Sequence, residues 1–288
     1  MTKRGSGDGA PLASSYGRLK PVAAGADTGG VESVPTLLVV PARAGSAGEI
    51  EPLLQTLVSL TTTAPDAMVL VVDDRSPAPQ AQMIEAAADE LNCAYVRQQD
   101  GEGIYAAYNV GLLAAAQHDM DVCLVASGLV LESTGWLERL RGRIGTDGLP
   151  AASVGGAVIN PSGMIRHAGF FFSYFRRSWS ARLRNVPSQL LDVGAPLLCP
   201  VGSDLQFLRR EWIDTVQPFD ERLSGADADL DYCLRVSLAG GECILDPAVR
   251  ARALVESDVE PETGTLSSGL LRSKHANTDF KPWVPEII

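Results

Sequence analysis

The chain has 288 residues, of which 45% are hydrophobic and 20% charged, with 24 basic and 35 acidic side chains giving a net charge of −11. That apolar share suits a folded protein of one or two domains and excludes a wholly disordered one. The acidic surplus repels phosphate backbones and anionic lipid heads, so nucleic-acid or membrane-surface binding is not the default expectation for the chain as a whole.

No apolar run approaches the roughly 18–20 residues of a membrane-spanning helix, so no transmembrane segment is expected. The start is basic (Lys3, Arg4) but runs into Gly-Ser-Gly without an apolar core, which does not read as a secretory signal. The five cysteines (Cys93, Cys123, Cys199, Cys233, Cys243) are odd in number and form no Cys-x-x-Cys pair. They imply neither a disulfide framework nor a zinc knuckle, and a reducing, cytoplasmic setting is expected.

Residues 1–33 are rich in Gly, Ser and Ala and poor in large apolar groups, so they read as a flexible arm. Thr36 to Val40 is then a continuous apolar run stopped by Pro41, as in a strand buried on both faces. Residues 49–60 carry Ile50, Leu53, Leu54, Leu57 and Leu60 at helical spacing. Met68 to Val72 predicts a second strand, ending in Asp73-Asp74-Arg75-Ser76-Pro77. A helix is expected over 79–91, a short strand over 94–96, a helix over 103–117, a strand over 122–125 and a helix from Glu132 to Arg143. This alternation predicts βαβ units with right-handed crossovers and a mostly parallel sheet flanked by helices. Ligands in such sheets bind at the carboxyl ends of the strands.

The second half is less regular. Val154 to Ile159 and Met164 to Phe172 flank the turn Asn160-Pro161-Ser162-Gly163 and predict a hairpin. Residues 173–190 are basic and aromatic without a clean period. A strand is expected over Leu205 to Arg209, a helix over 227–239, a short strand from Cys243 to Leu245, and a tail over 258–288 that packs only in places.

Six segments now line up in order. They are Val39-Val40-Pro41, Val71-Val72-Asp73-Asp74-Arg75-Ser76, the stretch from Asp100 to Gly111, Gly163-Met164-Ile165-Arg166-His167-Ala168-Gly169, Phe219-Asp220-Glu221, and Asp229-Leu230-Asp231-Tyr232-Cys233-Leu234-Arg235. Together they resemble the family 2 glycosyltransferases, over about residues 35–257. The resemblance implies a single GT-A (nucleotide-diphospho-sugar transferase) domain over 34–257. It implies transfer of a sugar from a nucleotide-diphosphate donor, of UDP or TDP type, to a hydroxyl of a saccharide, lipid or protein acceptor, with inversion. It assigns nucleotide-sugar contacts to Pro41, Asp73, Asp74, Asn109, Gly111, Ser127 and Gly128, with Asp74 favoured over Asp73 for the base. Asp229 takes the place of the catalytic base, a role open to any carboxylate within hydrogen-bond reach of the attacking hydroxyl.

Each assignment has a plainer alternative. A strand-end acid also caps loops, a glycine also admits a turn, and an acid at a helix start is also stabilised by the helix dipole. The pattern departs from the family at its metal site. Ala126-Ser127-Gly128 stands where an Asp-x-Asp is usual, and Leu254 where a His is usual. Neither Ala126, Gly128 nor Leu254 offers a side-chain ligand to a hard cation, so dependence on Mn or Mg is doubtful. Arginines then become candidates for the diphosphate, with Arg176, Arg177 and Arg252 foremost. His167 reads as structural, and His118 and His275 show no partner in the sequence. A catalytically inactive, glycosyltransferase-like scaffold is the alternative function, and a nucleotidyltransferase a distant third.

Overall fold

The structure is a computed structural model, and it describes residues 34–98, 100–192, 194–256 and 269–278. The expected arm at 1–33 lies outside the described residues, as do parts of the expected tail.

The first half follows the predicted alternation. It runs β1 (Thr36–Ala42), α1 (Ile50–Thr63), β2 (Met68–Asp73), α2 (Ala78–Glu90), β3 (Ala94–Arg97), α3 (Ile104–Gln117), β4 (Asp121–Val125), β5 (Leu129–Val130) and α4 (Trp136–Arg141). Strands β1, β2 and β4 are buried almost throughout, which explains why their sequences are continuous rather than alternating apolar runs. Pro41 is tolerated in central β1 because the pairing with β4 ends at Val39, so its missing N–H leaves no gap in that ladder.

The second half continues with β6 (Ser153–Ile159), β7 (Ile165–His167), β8 (Phe170–Ser173), β9 (Ser178–Ala181), β10 (Leu197–Leu198), β11 (Leu205–Leu208), α5 (Arg210–Thr215), α6 (Ala226–Leu238), β12 (Cys243–Ala253) and α7 (Gly269–Lys274). The large sheet has the order β10-β12-β6-β11-β4-β1-β2-β3, with β5 on β12 and β7 on β6. Strands β3, β2, β1 and β4 run parallel, and so do β6 and β12. Strand β11 lies between the two groups, antiparallel to both β4 and β6. The sheet is therefore mixed at its centre.

Three expectations need correction. The helix from Glu132 to Arg143 is shorter, because Gly135 enters it at φ +79°. The predicted hairpin divides: β7 pairs with β6, while β8 pairs with β9 as a separate ribbon. Strand β12 is far longer than Cys243 to Leu245. A bulge between Asp246 and Arg250 interrupts its register, so the Asp-Pro signal in mid-strand does not end it. All five cysteines are buried free thiols. Among the described residues no helix is long and apolar enough to cross a membrane.

Candidate active site

The parallel strands β1, β2 and β4 bring their carboxyl ends to one edge. Arg43, Asp74 and Ser127 follow them there. The antiparallel β11 starts at the same edge, with Leu205 opposite Val125, and so delivers Asp204. Strand β12 ends there too: the Leu254 N–H donates to the Gly128 carbonyl at 2.9 Å.

Asp73 and Asp74 face different surroundings. The Asp73 carboxylate is fully buried; it accepts from the Ser76 N–H at 3.0 Å and the Tyr95 hydroxyl at 2.9 Å, and lies 3.8 Å from Arg97. It secures the loop after β2. In Asp74, Oδ2 accepts from the Gly103 N–H at 3.0 Å and from Arg43 at 3.3 Å, while the buried Oδ1 has no partner. A buried carboxylate oxygen left open costs free energy unless a donor arrives.

Gly103 sits at φ +91°, a conformation that favours glycine, and turns the chain into α3. Two residues on, the Tyr105 hydroxyl stands 2.6 Å from the Gly225 carbonyl and 3.0 Å from Oδ1 of Asp229. One helix start therefore touches Asp74 through Gly103 and Asp229 through Tyr105. The two acids flank the beginning of α3, although they are far apart in sequence.

Asp229 is only 7% exposed, near the buried start of α6. Burial, reinforced by the negative charge of Asp204, pushes its carboxyl up to about 7, against hydrogen bonds from Ser203 and Tyr105. The Tyr105 hydroxyl has one proton for two acceptors, the Gly225 carbonyl and Oδ1 of Asp229.

Asp204 is held by His167, whose Nε2 lies 3.1 Å from Oδ2. Burial works against the Asp204 charge, but the hydrogen bond and charge of His167 outweigh it and keep this carboxyl below its ordinary range. The His167 ring stacks on Phe170, with centroids 5.9 Å apart. A side chain on Gly202 would meet that ring at 2.7 Å, so the glycine makes room for it. His167, read from the sequence as structural, holds Asp204 at the site edge, where Tyr105 and Ser203 also lie. Sequence reading gave Asp204, Tyr105 and Ser203 no role: Ser203 and Asp204 lie outside the motif set, and Tyr105, though inside the Asp100–Gly111 stretch, meets Asp229 only through the fold.

The family model described as Glycosyl transferase family 2 matches residues 38–187, just over half of the chain. The chain belongs to glycosyl transferase family 2. No curated protein matches it. Its fold is GT-A, shared with a crystal structure of GalNAc-T7 with UDP, GalNAc and Mn2+ (TM-score 0.58, 15% identity, covering 76% of this chain and 44% of that one). It is also similar to the mannosyltransferase PcManGT from Pyrobaculum calidifontis in complex with GDP-Man and Mn2+ (TM-score 0.51, 18% identity, covering 78% of this chain and 58% of that one). The chain thus spans less than two thirds of either protein.

Within this family 2 domain, several predicted contacts have other work. Asn109 clasps the loop at Phe219: its amide donates to the Phe219 carbonyl at 3.0 Å and to Glu221 at 2.9 Å, and accepts the Phe219 N–H at 2.8 Å. Gly111 lies against β1, where a Cβ would stand 2.4 Å from Val39. Both residues fix α3 to its neighbours. Pro41 is a buried member of β1. Ser127 is exposed at the site edge. Gly128, at φ +83°, donates its N–H to Thr56 at 2.9 Å and so ties the turn after β4 to α1.

Ala126, Gly128 and Leu254 offer no side-chain ligand to a divalent cation. Gly128 and Leu254 are backbone partners of each other. Among the described residues no group of three or more His, Cys, Asp or Glu could hold a metal ion. Arg252 lies beside this junction, two residues before Leu254, with Nε 2.6 Å from Glu132. Arg176 and Arg177 lie elsewhere, at the exposed turn between β8 and β9. Arg177 lines a cavity with Trp179, Leu271 and His275, not the acid cluster.

Proposed function

We propose that the chain transfers a sugar from a nucleotide-diphosphate sugar to an acceptor hydroxyl by a single inverting displacement, with Asp229 as the general base. The observation that carries this reading is the pair of carboxylates on one helix start: Asp74 with an open oxygen, and Asp229 with a proton affinity raised to about 7. The open Oδ1 of Asp74 suits the imide N–H of uracil or thymine, which favours a UDP or TDP donor. The Asp73 carboxylate already has three partners, so the base contact falls to Asp74.

In the reaction the acceptor oxygen attacks the anomeric carbon as the bond to the diphosphate breaks. The hydroxyl proton passes to the Asp229 carboxylate. The nucleoside diphosphate departs with the bond electrons and extra negative charge. Arg252, beside Gly128 and Leu254, is the cation suited to meet that charge, since its partner Glu132 is exposed. The lack of ligands at 126, 128 and 254 favours a site that works without a divalent metal. The same lack is the observation that favours a second reading, a non-catalytic scaffold of the same fold.

The experiment is donor titration by calorimetry, with and without Mn2+, paired with turnover of Asp229→Asn. Micromolar binding of UDP- or TDP-sugar indifferent to Mn2+ is expected. Turnover of the variant is expected to fall by about 100-fold or more at unchanged donor affinity. No binding of any nucleotide sugar would leave the scaffold. Unchanged turnover would remove Asp229 from the mechanism.

A further inference from the structure

We propose that the tip of the β8–β9 ribbon is a docking finger for an anionic membrane surface. The proposal is independent of the reaction at the acid cluster. Strands β8 and β9 pair from Phe170 opposite Ala181 to Ser173 opposite Ser178, leaving Tyr174, Phe175, Arg176 and Arg177 as the connecting turn. Phe175 is 97% exposed, the most exposed large apolar side chain described, and Tyr174 beside it is 49% exposed. Arg176 and Arg177 are also exposed. The ribbon that presents them is packed at its base. The cross-strand pair Phe172 and Trp179 is buried, with ring centroids 5.4 Å apart, and Tyr174 meets Phe172 edge-on at 5.2 Å.

Two facts select the partner. The stretch 160–191 holds five arginines (Arg166, Arg176, Arg177, Arg182, Arg184) and no acid, in a chain of net charge −11. At physiological salt, charges beyond about 8 Å are largely screened, so an approaching surface feels the basic tip rather than the acidic whole. The shape is also telling. An aromatic ring standing almost free of the protein at a ribbon tip is poorly matched to a flat protein face, but a bilayer interface closes around it. Aromatic rings favour that interface, and flanking arginines can keep their charged heads among lipid phosphates.

The test is co-sedimentation of the full chain with phosphatidylcholine vesicles, with and without phosphatidylglycerol. Binding is expected with the anionic vesicles, weaker with the neutral ones, and reduced by high salt. Phe175→Ala should weaken it about tenfold or more. The double change Arg176→Glu with Arg177→Glu should weaken it about thirtyfold or more. Both variants should melt like the parent, because the altered side chains are exposed. Failure to sediment with anionic vesicles overturns the proposal, as does binding that neither variant weakens. Binding to soluble polyglutamate without binding to vesicles would assign the tip to an acidic protein and equally overturn it.

Discussion

Asp229 shows how a single residue acquires chemistry from its surroundings. An ordinary aspartate is a weak base near neutrality because its proton is lost near pH 4. Burial at the start of α6, with Asp204 adding negative charge, raises this one to about 7. The folded chain therefore keeps a proton that the unfolded chain has released. The associated stability is fully present below about pH 4 and is lost as pH rises towards 7. For catalysis the sign is opposite, since the base must be unprotonated: turnover should climb with pH through about 7 and level off above. Asp229→Asn should abolish that climb. It should also raise the melting temperature at pH 8, by a stabilisation on the order of 2 kcal/mol, with little change at pH 4. Equal melting behaviour of the two proteins at pH 8 would contradict the buried, proton-retaining aspartate. The position of Asp229 was legible in the sequence. Its contacts were not: Tyr105 stands in the recognised Asp100–Gly111 stretch and Ser203 and Asp204 outside any motif, and only the fold brings them to Asp229.

At the scale of elements, α3 is decided by close packing against β1. Gly111 has its Cα facing Val39, and an added Cβ would stand 2.4 Å from both Val39 methyl groups. Gly111→Ala should therefore destabilise the protein by about 1–3 kcal/mol, seen as an earlier thermal or urea transition. An unchanged transition would mean that the helix shifts freely on the sheet. The resemblance attached ligand roles to Gly111 and Asn109. The structure shows a helix–strand contact at Gly111 and a loop clasp at Asn109. Strand β12 illustrates the converse. The expected strand ended at Leu245, yet the fully buried Asp246 carboxylate is held by Arg139 at 2.8 Å and also by Arg143, and the strand continues past a bulge. A buried acid is tolerated in mid-strand when distant arginines satisfy it.

At the scale of the whole molecule, a late helix closes onto the earlier fold around a buried acid, with Lys274 also paired to Asp220 at 2.8 Å and Leu271 buried in the core. Asp231 on α6 is fully buried and meets Arg235 at 2.9 Å, Lys274 at 2.7 Å and His275 at 3.0 Å. Burial opposes its charge, but the hydrogen bonds from His275 and Lys274 and the charge of Arg235 outweigh it and hold the carboxyl at about 2. This contribution to stability is present above about pH 4 and is lost as pH falls towards 2. Asp231→Asn should cost about 3 kcal/mol and hasten proteolysis within 269–278; slow, unaltered cleavage there would show that α7 is held by other contacts. His275, which showed no partner in the sequence, is thus part of the clamp between α6 and α7.

The sequence by itself determined the strand–helix alternation from β1 to β4, the family and the acids at the strand and helix ends. Hydrophobic periodicity and short motifs are local properties that survive without coordinates. Only the tertiary structure decided that β11 runs antiparallel through the centre of the sheet and delivers Asp204 beside His167 and Asp229. It alone decided that Asp73 is used up by its own loop while Asp74 keeps an open oxygen. Burial and charge coupling depend on which distant segments meet, and no spacing along the chain records that.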